Sequence, residues 1–146
     1  MASNVPNAVT KSAPAERMTD DPIEEIETIR REFEAAENRK DPSVQIERRD
    51  PSEFVRMPPG RSAMSYEKAN ERLESLYAAG GFHVEWESDG IFASENLAVD
   101  SGRFTVAFDD GRHRKGKWLL VYRRDAAGRW RVIRDIYNYD EKSVER

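Results

Sequence analysis

The side chains best suited to chemistry gather in the last third of the chain. Asp135 stands in GRWRVIRDIYN (Gly128 to Asn138), a β-rich run of the kind that fills a sheet interior. A carboxylate there is either a reagent or an acid neutralised by an arginine. Strict alternation puts Ile133, Asp135 and Tyr137 on one face of the strand and Val132, Arg134 and Ile136 on the other. If the first set faces a cavity, Asp135 lies in apolar surroundings beside a phenol, where desolvation raises its pKa toward the range of a general acid or base. The alternative is an ion pair with Arg103 or Arg123 of a neighbouring strand, fixing a sheet or dimer contact. Asp100 and Arg103 add a second acid and a cation, but a spacing of three turns them to opposite faces unless a bulge at Gly102 re-aims one of them. Arg56 could hold an anionic ligand, with plain solvent exposure as the simpler expectation. Trp86, Trp118 and Trp130 read as core aromatics, some of them available as pocket walls.

Other chemistries find little support. Cysteine is absent, which removes disulfides, thiolate metal sites and a cysteine nucleophile together. His83 and His113 are the only histidines and neither has a partner at metal-ligand spacing, so no metal site is expected. Without a phosphate-cradling loop or a nucleophile motif, any catalysis is expected to need no cofactor. The composition, 38% hydrophobic and 36% charged with a net charge of -4, is that of a polar globular protein. No apolar run approaches the ~20 residues of a membrane span, and residues 1–19 lack the apolar stretch of a secretory signal. A soluble, cytoplasmic protein that does not engage membranes is the expectation. Residues 110–134 are rich in arginine and lysine, yet the chain as a whole is acidic. Those cations read as the solvated side of two strands rather than a nucleic-acid surface.

The elements that must position these residues follow from periodicity. The 146 residues amount to one domain, expected over 20–141, between a disordered leader at 1–19 and a tail at 142–146. Asp21-Pro22 signals a helix start, and Ile23, Ile26, Ile29, Phe33 and Ala36 make one apolar stripe, leaving Glu24, Glu25, Glu27, Arg31 and Glu32 solvated. Asp41-Pro42 stops that helix and caps a short second one to about Arg49. Residues 53–57 predict a short strand ended by Pro58-Pro59-Gly60, and a third helix from Ser65 buries Tyr66, Ala69, Leu73, Leu76 and Tyr77 before Gly80-Gly81. From Phe82 the period changes to alternation and gives four or five strands. Breaks are expected at Asp89-Gly90, Glu95-Asn96, Asp109-Asp110-Gly111 and Asp125-Ala126-Ala127-Gly128. Residues 117–123 are apolar on both faces and belong centrally in the sheet. The class is α+β, with about three helices on one side of a bent antiparallel sheet.

This element order, with FVRMPPG (Phe54 to Gly60) and the closing hairpin GKWLLVYRRDAAGRWRVIRDIYN (Gly116 to Asn138), resembles the nuclear transport factor 2-like superfamily, specifically its SnoaL-like bacterial members, over about residues 20–140. The resemblance implies a cystatin-like cone: a curved antiparallel sheet wrapped against helices, an enclosed apolar pocket, and a homodimer formed through the sheet. Such pockets host isomerases, cyclases, dehydratases and epoxide hydrolases, and in scaffold members no reaction at all. Ketosteroid isomerases of the superfamily carry their base immediately before the proline of the Pro-x-Gly turn. Met57 occupies that position here, and helix 22–40 has no tyrosine to hold an enolate, so steroid-type isomerisation lacks both groups. Epoxide-hydrolase members use two aspartates and an arginine, residue types that Asp100, Asp135 and Arg103 supply. Polyketide-cyclase-like members use an aspartate on a late strand, which Asp135 matches. The expectation is a small-molecule-binding domain of unassigned reaction, a cofactor-independent acid/base lyase, cyclase or isomerase acting on a partly apolar molecule. Asp135 and Asp100 would be catalytic, and Tyr137, Arg103, Arg56, Trp86 and Trp118 would bind the ligand. The competing expectation is a non-catalytic dimeric scaffold whose cavity is filled by side chains.

Overall fold

The computed structural model describes residues 21–141. The expected leader at 1–19 and tail at 142–146 lie outside the described residues. Helix α1 (Pro22–Asn38) starts as its sequence dictates: the Asp21 carboxylate accepts from the Ile23 N–H at 3.0 Å, and Pro22 occupies the first turn, where its missing donor costs nothing. Its buried face carries Ile26, Ile29, Phe33 and Ala36. Glu25, expected in solvent, is buried beside them because it accepts from Trp130 Nε1 at 2.8 Å and pairs with Arg124 at 3.0 Å. Helix α2 (Ser43–Arg48) follows, then strand β1 (Val55–Met57), a two-residue strand β2 (Met64–Ser65) with no alternation long enough to be seen in sequence, and helix α3 (Tyr66–Ala79). Gly80 and Gly81, both at positive φ, end α3. Strands β3 (Phe82–Ala93), β4 (Leu97–Phe108), β5 (His113–Arg124) and β6 (Trp130–Tyr139) complete the chain.

The six strands form one sheet in the order β2-β1-β6-β5-β4-β3. Three successive antiparallel hairpins build the β3 to β6 meander, and β5 sits in its interior as its two apolar faces require. The sheet is mixed rather than wholly antiparallel, because β1 lies parallel to β6. No hairpin joins these two strands, so alternation alone carried no information about their relative direction. The break expected at Asp89-Gly90 is a β-bulge within a continuous β3, where the pairing register slips between Ser88 and Gly90.

Two apolar clusters fill the concave side. One joins α1 to β5 and β6 through Ile26, Phe33, Trp118, Leu120, Tyr122 and Trp130. The other joins α3 to β3 and β4 through Leu73, Tyr77, Phe82, Val84 and Val106. Trp86 and Phe104 pack against both. No described helix is long and apolar enough to cross a membrane.

Candidate functional site

A cavity of about 170 Å³ opens where the two clusters meet. Its wall is the inner face of β3 to β6, including Trp86, Phe104, Trp118, Tyr137 and Tyr139, and α3 closes it with Leu73, Leu76 and Tyr77. Leu76 belongs to the rim rather than the core, at 49% exposure. Glu37 of α1, Gln45 of α2, Arg56 of β1 and Asp135 of β6 supply the polar groups.

Glu37 is placed by its neighbours on α1. The last turns of α1 run along the free edge of β3, whose outward backbone groups need partners. Asn38 donates to the Val84 carbonyl at 2.9 Å and accepts from the Val84 N–H at 2.8 Å, Glu34 accepts from the Trp86 N–H at 2.9 Å, and Lys40 donates to the Phe82 carbonyl at 2.6 Å. Between these clips Glu37 turns inward and accepts from Trp86 Nε1 at 3.0 Å. Desolvation pushes its carboxyl from the ordinary 4.5 up to about 7, with the Trp86 hydrogen bond and the Arg56 charge opposing the rise and the Asp135 charge adding to it. At neutral pH this side chain can both give and take a proton.

Asp135 reaches the cavity through a second bulge. Tyr122 is opposite Val132 while Leu120 is opposite Asp135, so β6 fits three steps to two of β5. The extra residue lets Val132 and Asp135 both face inward, where strict alternation separates them. Asp135 Oδ2 accepts from Arg56 Nη1 at 2.7 Å, and Arg49 Nη2 stands 4.0 Å away. The parallel register of β1 on β6, which sets Arg56 against Asp135, makes this pair possible. The Arg56 guanidinium also lies 4.8 Å from the Tyr137 ring centre. Burial works against its charge, but Asp135, Tyr137 and Glu37 outweigh that and hold its pKa above the ordinary arginine value. Arg49, 3% exposed, donates to Asn70 Oδ1 at 2.7 Å; burial and the like charge of Arg56 bring its pKa down to about 10, which leaves it a cation at neutral pH. Asp135 is thus in an ion pair and in the cavity at once, and its partner is neither Arg103 nor Arg123.

The remaining wall is aromatic. Phe104, Tyr137 and Tyr139 meet edge to face with centres 5.8 to 6.1 Å apart. Gly116 is what admits the Phe104 ring: a Cβ there would come within 2.5 Å of it and 2.2 Å of the Asn138 carbonyl. The Tyr77 hydroxyl donates to Gln45 Oε1 at 3.0 Å, and burial raises its pKa.

Of the residues singled out from sequence, Asp135, Tyr137, Arg56, Trp86 and Trp118 line the cavity. Asp100 and Arg103 do not. Asp100 is fully buried, but its carboxylate accepts from Ser88 Oγ at 2.6 Å and from Arg30 at 2.9 Å, within the packing of α1 on the sheet. Burial raises its pKa, with Ser88 and Arg30 opposing. Arg103 is 59% exposed on the convex face, paired with Glu87 at 2.8 Å and Asp89 at 3.0 Å. Asp100 and Arg103 face opposite sides as their spacing requires, and no bulge at Gly102 re-aims either, because the irregularity lies across from it at Ser88 to Gly90 while Gly102 stays in register opposite Trp118. Asp100, Arg103 and Asp135 are therefore not assembled into one site. Sequence reasoning passed over Glu37, although the signal was present: it follows Phe33 by four positions and so falls on the apolar stripe of α1. Among the described residues no group of three acidic or histidine side chains is arranged to hold a metal ion.

No protein-family model matches the chain, and no curated protein matches it. Solved structures do. A ketosteroid isomerase-like protein from Erwinia carotovora atroseptica superposes with a TM-score of 0.70 at 20% identity, over 85% of this chain and 100% of that one. An NTF2-like protein of unknown function from Pseudomonas putida gives 0.71 at 15% identity, over 83% and 96%. An NTF2-like protein with a cystatin-like fold from Novosphingobium aromaticivorans gives 0.68 at 16% identity, over 82% of each. At these identities the likeness speaks for architecture, and it agrees with the curved sheet wrapped on three helices: the chain has the nuclear transport factor 2-like, cystatin-like α+β fold.

Proposed function

We propose that the cavity binds a small, partly apolar molecule and moves a proton on it without a cofactor, with Glu37 as the acid/base and Arg56 as the group that holds developing negative charge. The observation that carries this reading is the convergence of Glu37 and the Arg56–Asp135 pair on one aromatic-walled cavity. A carboxyl poised near pH 7 by desolvation loses least driving force in either direction of proton transfer. Arg56 offers five N–H donors, of which Asp135 takes Nη1, and a fixed cation beside an apolar wall stabilises an enolate or alkoxide far more than it would in water. Asp135 positions Arg56 and is not itself the proton carrier. The isomerase position before the Pro-Pro-Gly turn remains Met57, so the acid is supplied from α1 instead. A lyase, cyclase or isomerase step on an enolisable aromatic ketone fits these groups. The test is NMR detection of solvent-deuterium exchange at the α-carbon of such ketones: exchange catalysed by the wild type and lost in Glu37→Gln supports the assignment, and exchange indifferent to Glu37→Gln removes it.

The non-catalytic alternative is favoured by one dimension. The cavity, at about 170 Å³, falls below the ~300 Å³ lower bound of most ligand sites. In either case we take the protein to be a homodimer through the convex face. There Val99, Leu119, Val121 and Ile136 are half-buried and would meet their copies in the partner about a two-fold axis. Sedimentation of a stable monomer at micromolar concentration excludes that arrangement.

A further inference from the structure

The charges around the cavity do not balance without Glu37, and this suggests what the site takes up. Two guanidiniums, Arg49 and Arg56, face the single carboxylate of Asp135. The other groups that bear on Glu37 leave this excess in place. Lys40, in the turn after α1, is a further cation, directed at the carbonyls of Asn38 and Phe82, and Tyr77 of α3 and Tyr139 of β6 have phenols whose pKa values burial raises, so they stay neutral. Trp86 of β3 contributes only a hydrogen-bond donor. With Glu37 protonated, the cluster of Arg49, Arg56 and Asp135 carries one uncompensated positive charge in a desolvated setting; with Glu37 ionised it is neutral.

A ligand anion and the Glu37 carboxylate are therefore alternatives for the same compensating role. The cavity that Arg56 lines is walled by the rings of Trp86, Trp118, Phe104 and Tyr137, the last 4.8 Å from the guanidinium, which suit a planar apolar body. We propose that the cavity binds a small aromatic carboxylate, its carboxylate on Arg56 and its ring between the tryptophans and Phe104, and that each anion bound brings one proton to Glu37. The inference rests on the reading of this cavity as a ligand site but requires no reaction. Like charges sharing one desolvated cavity cannot both be ionised cheaply, which is why the anion drives protonation of the acid rather than joining it. With its carboxyl pushed up to about 7, Glu37 is mostly ionised only above neutrality, and there the proton is drawn from solvent.

Calorimetric titration with benzoate, and with benzamide as its neutral isostere, tests this on the intact chain from about pH 6 to about pH 9, in buffers of differing ionisation enthalpy. Benzoate should bind at least about tenfold more tightly than benzamide at the acid end and weaken by up to about tenfold per unit above neutrality, with close to one proton taken up. Glu37→Gln, whose amide still accepts from Trp86 Nε1, should bind benzoate with neither proton uptake nor the pH slope. Equal affinity for benzamide, pH-independent binding by the wild type, or no benzoate binding in a variant series that remains folded by circular dichroism would each overturn the proposal. Benzoate has no acidic C–H to exchange. Binding without any ketone exchange thus sinks the catalytic reading alone, and exchange without benzoate binding sinks this one alone.

Discussion

Replacing Glu37 with glutamine should make the protein more stable than the wild type by an amount that grows between about pH 4.5 and about 7 and is fully present above neutrality. The native carboxyl titrates at about 7 and the unfolded one near 4.5. Below the unfolded value both states hold the proton, and the group contributes no pH dependence. Between the two values the native state keeps its proton while the unfolded state has released it, so stability falls as pH rises, by about 1.4 kcal/mol per unit. Across the window the loss approaches about 3 kcal/mol, and above the native pKa it levels off. The sign is opposite to that of an ordinary salt-bridged carboxylate because burial, not pairing, dominates here. Glutamine cannot ionise, and its amide oxygen retains the Trp86 hydrogen bond. Urea unfolding of wild type and variant at about pH 4.5, 6 and 8, read as the difference between the two proteins, cancels every other titrating group. The variant should match the wild type at the acid end and exceed it by about 3 kcal/mol at the basic end. A difference that stays flat with pH would refute the burial of Glu37 as the cause.

Three further perturbations test the surroundings of that group. Asp135→Asn leaves Arg56 and Arg49 facing each other without the Asp135 charge between them and should cost about 3 kcal/mol in urea unfolding; it should also lower the Glu37 pKa, since the Asp135 charge is one cause of its rise. Gly116→Ala forces a methyl into the Asn138 carbonyl and the Phe104 ring and should destabilise by about 1–3 kcal/mol, with loss of the near-ultraviolet dichroism of the Phe104, Tyr137 and Tyr139 cluster. Tyr122 is fully buried and its hydroxyl has no hydrogen-bond partner among the described residues, so Tyr122→Phe should be neutral or stabilising by about 1 kcal/mol; a loss of 2 kcal/mol or so would mean that a partner is present.

The architecture was legible in the sequence because it rests on periodicity and punctuation. Asp21-Pro22, the glycines after α3 and the switch from helical to alternating pattern at Phe82 mark element ends by local backbone chemistry that tertiary packing does not override. The parallel docking of β1 on β6 was not legible, since pairing of strands distant in sequence is decided by packing. That docking is what gives Asp135 its partner Arg56. Asp135 does line the cavity, but with companions other than those that alternation assigns. The bulge near Ile133 replaces the alternation that grouped it with Ile133, and no residue type there announces an extra step. Arg103 faces solvent as simple parity requires, and the supposed correction at Gly102 would have had to overrule it. Glu37 is the instructive omission. A carboxylate on the apolar stripe of α1 is a conflict between local pattern and residue type, and such conflicts concentrate where function is built.

The measurement that bears most directly on the site is a carboxyl-carbon NMR titration of Glu37, assigned by the loss of its signal in Glu37→Gln. A midpoint near 7 is the expected result, moving upward when benzoate is added. A midpoint near the ordinary 4.5, unchanged by benzoate, would contradict both the acid/base role of Glu37 and the charge balance on which anion binding depends.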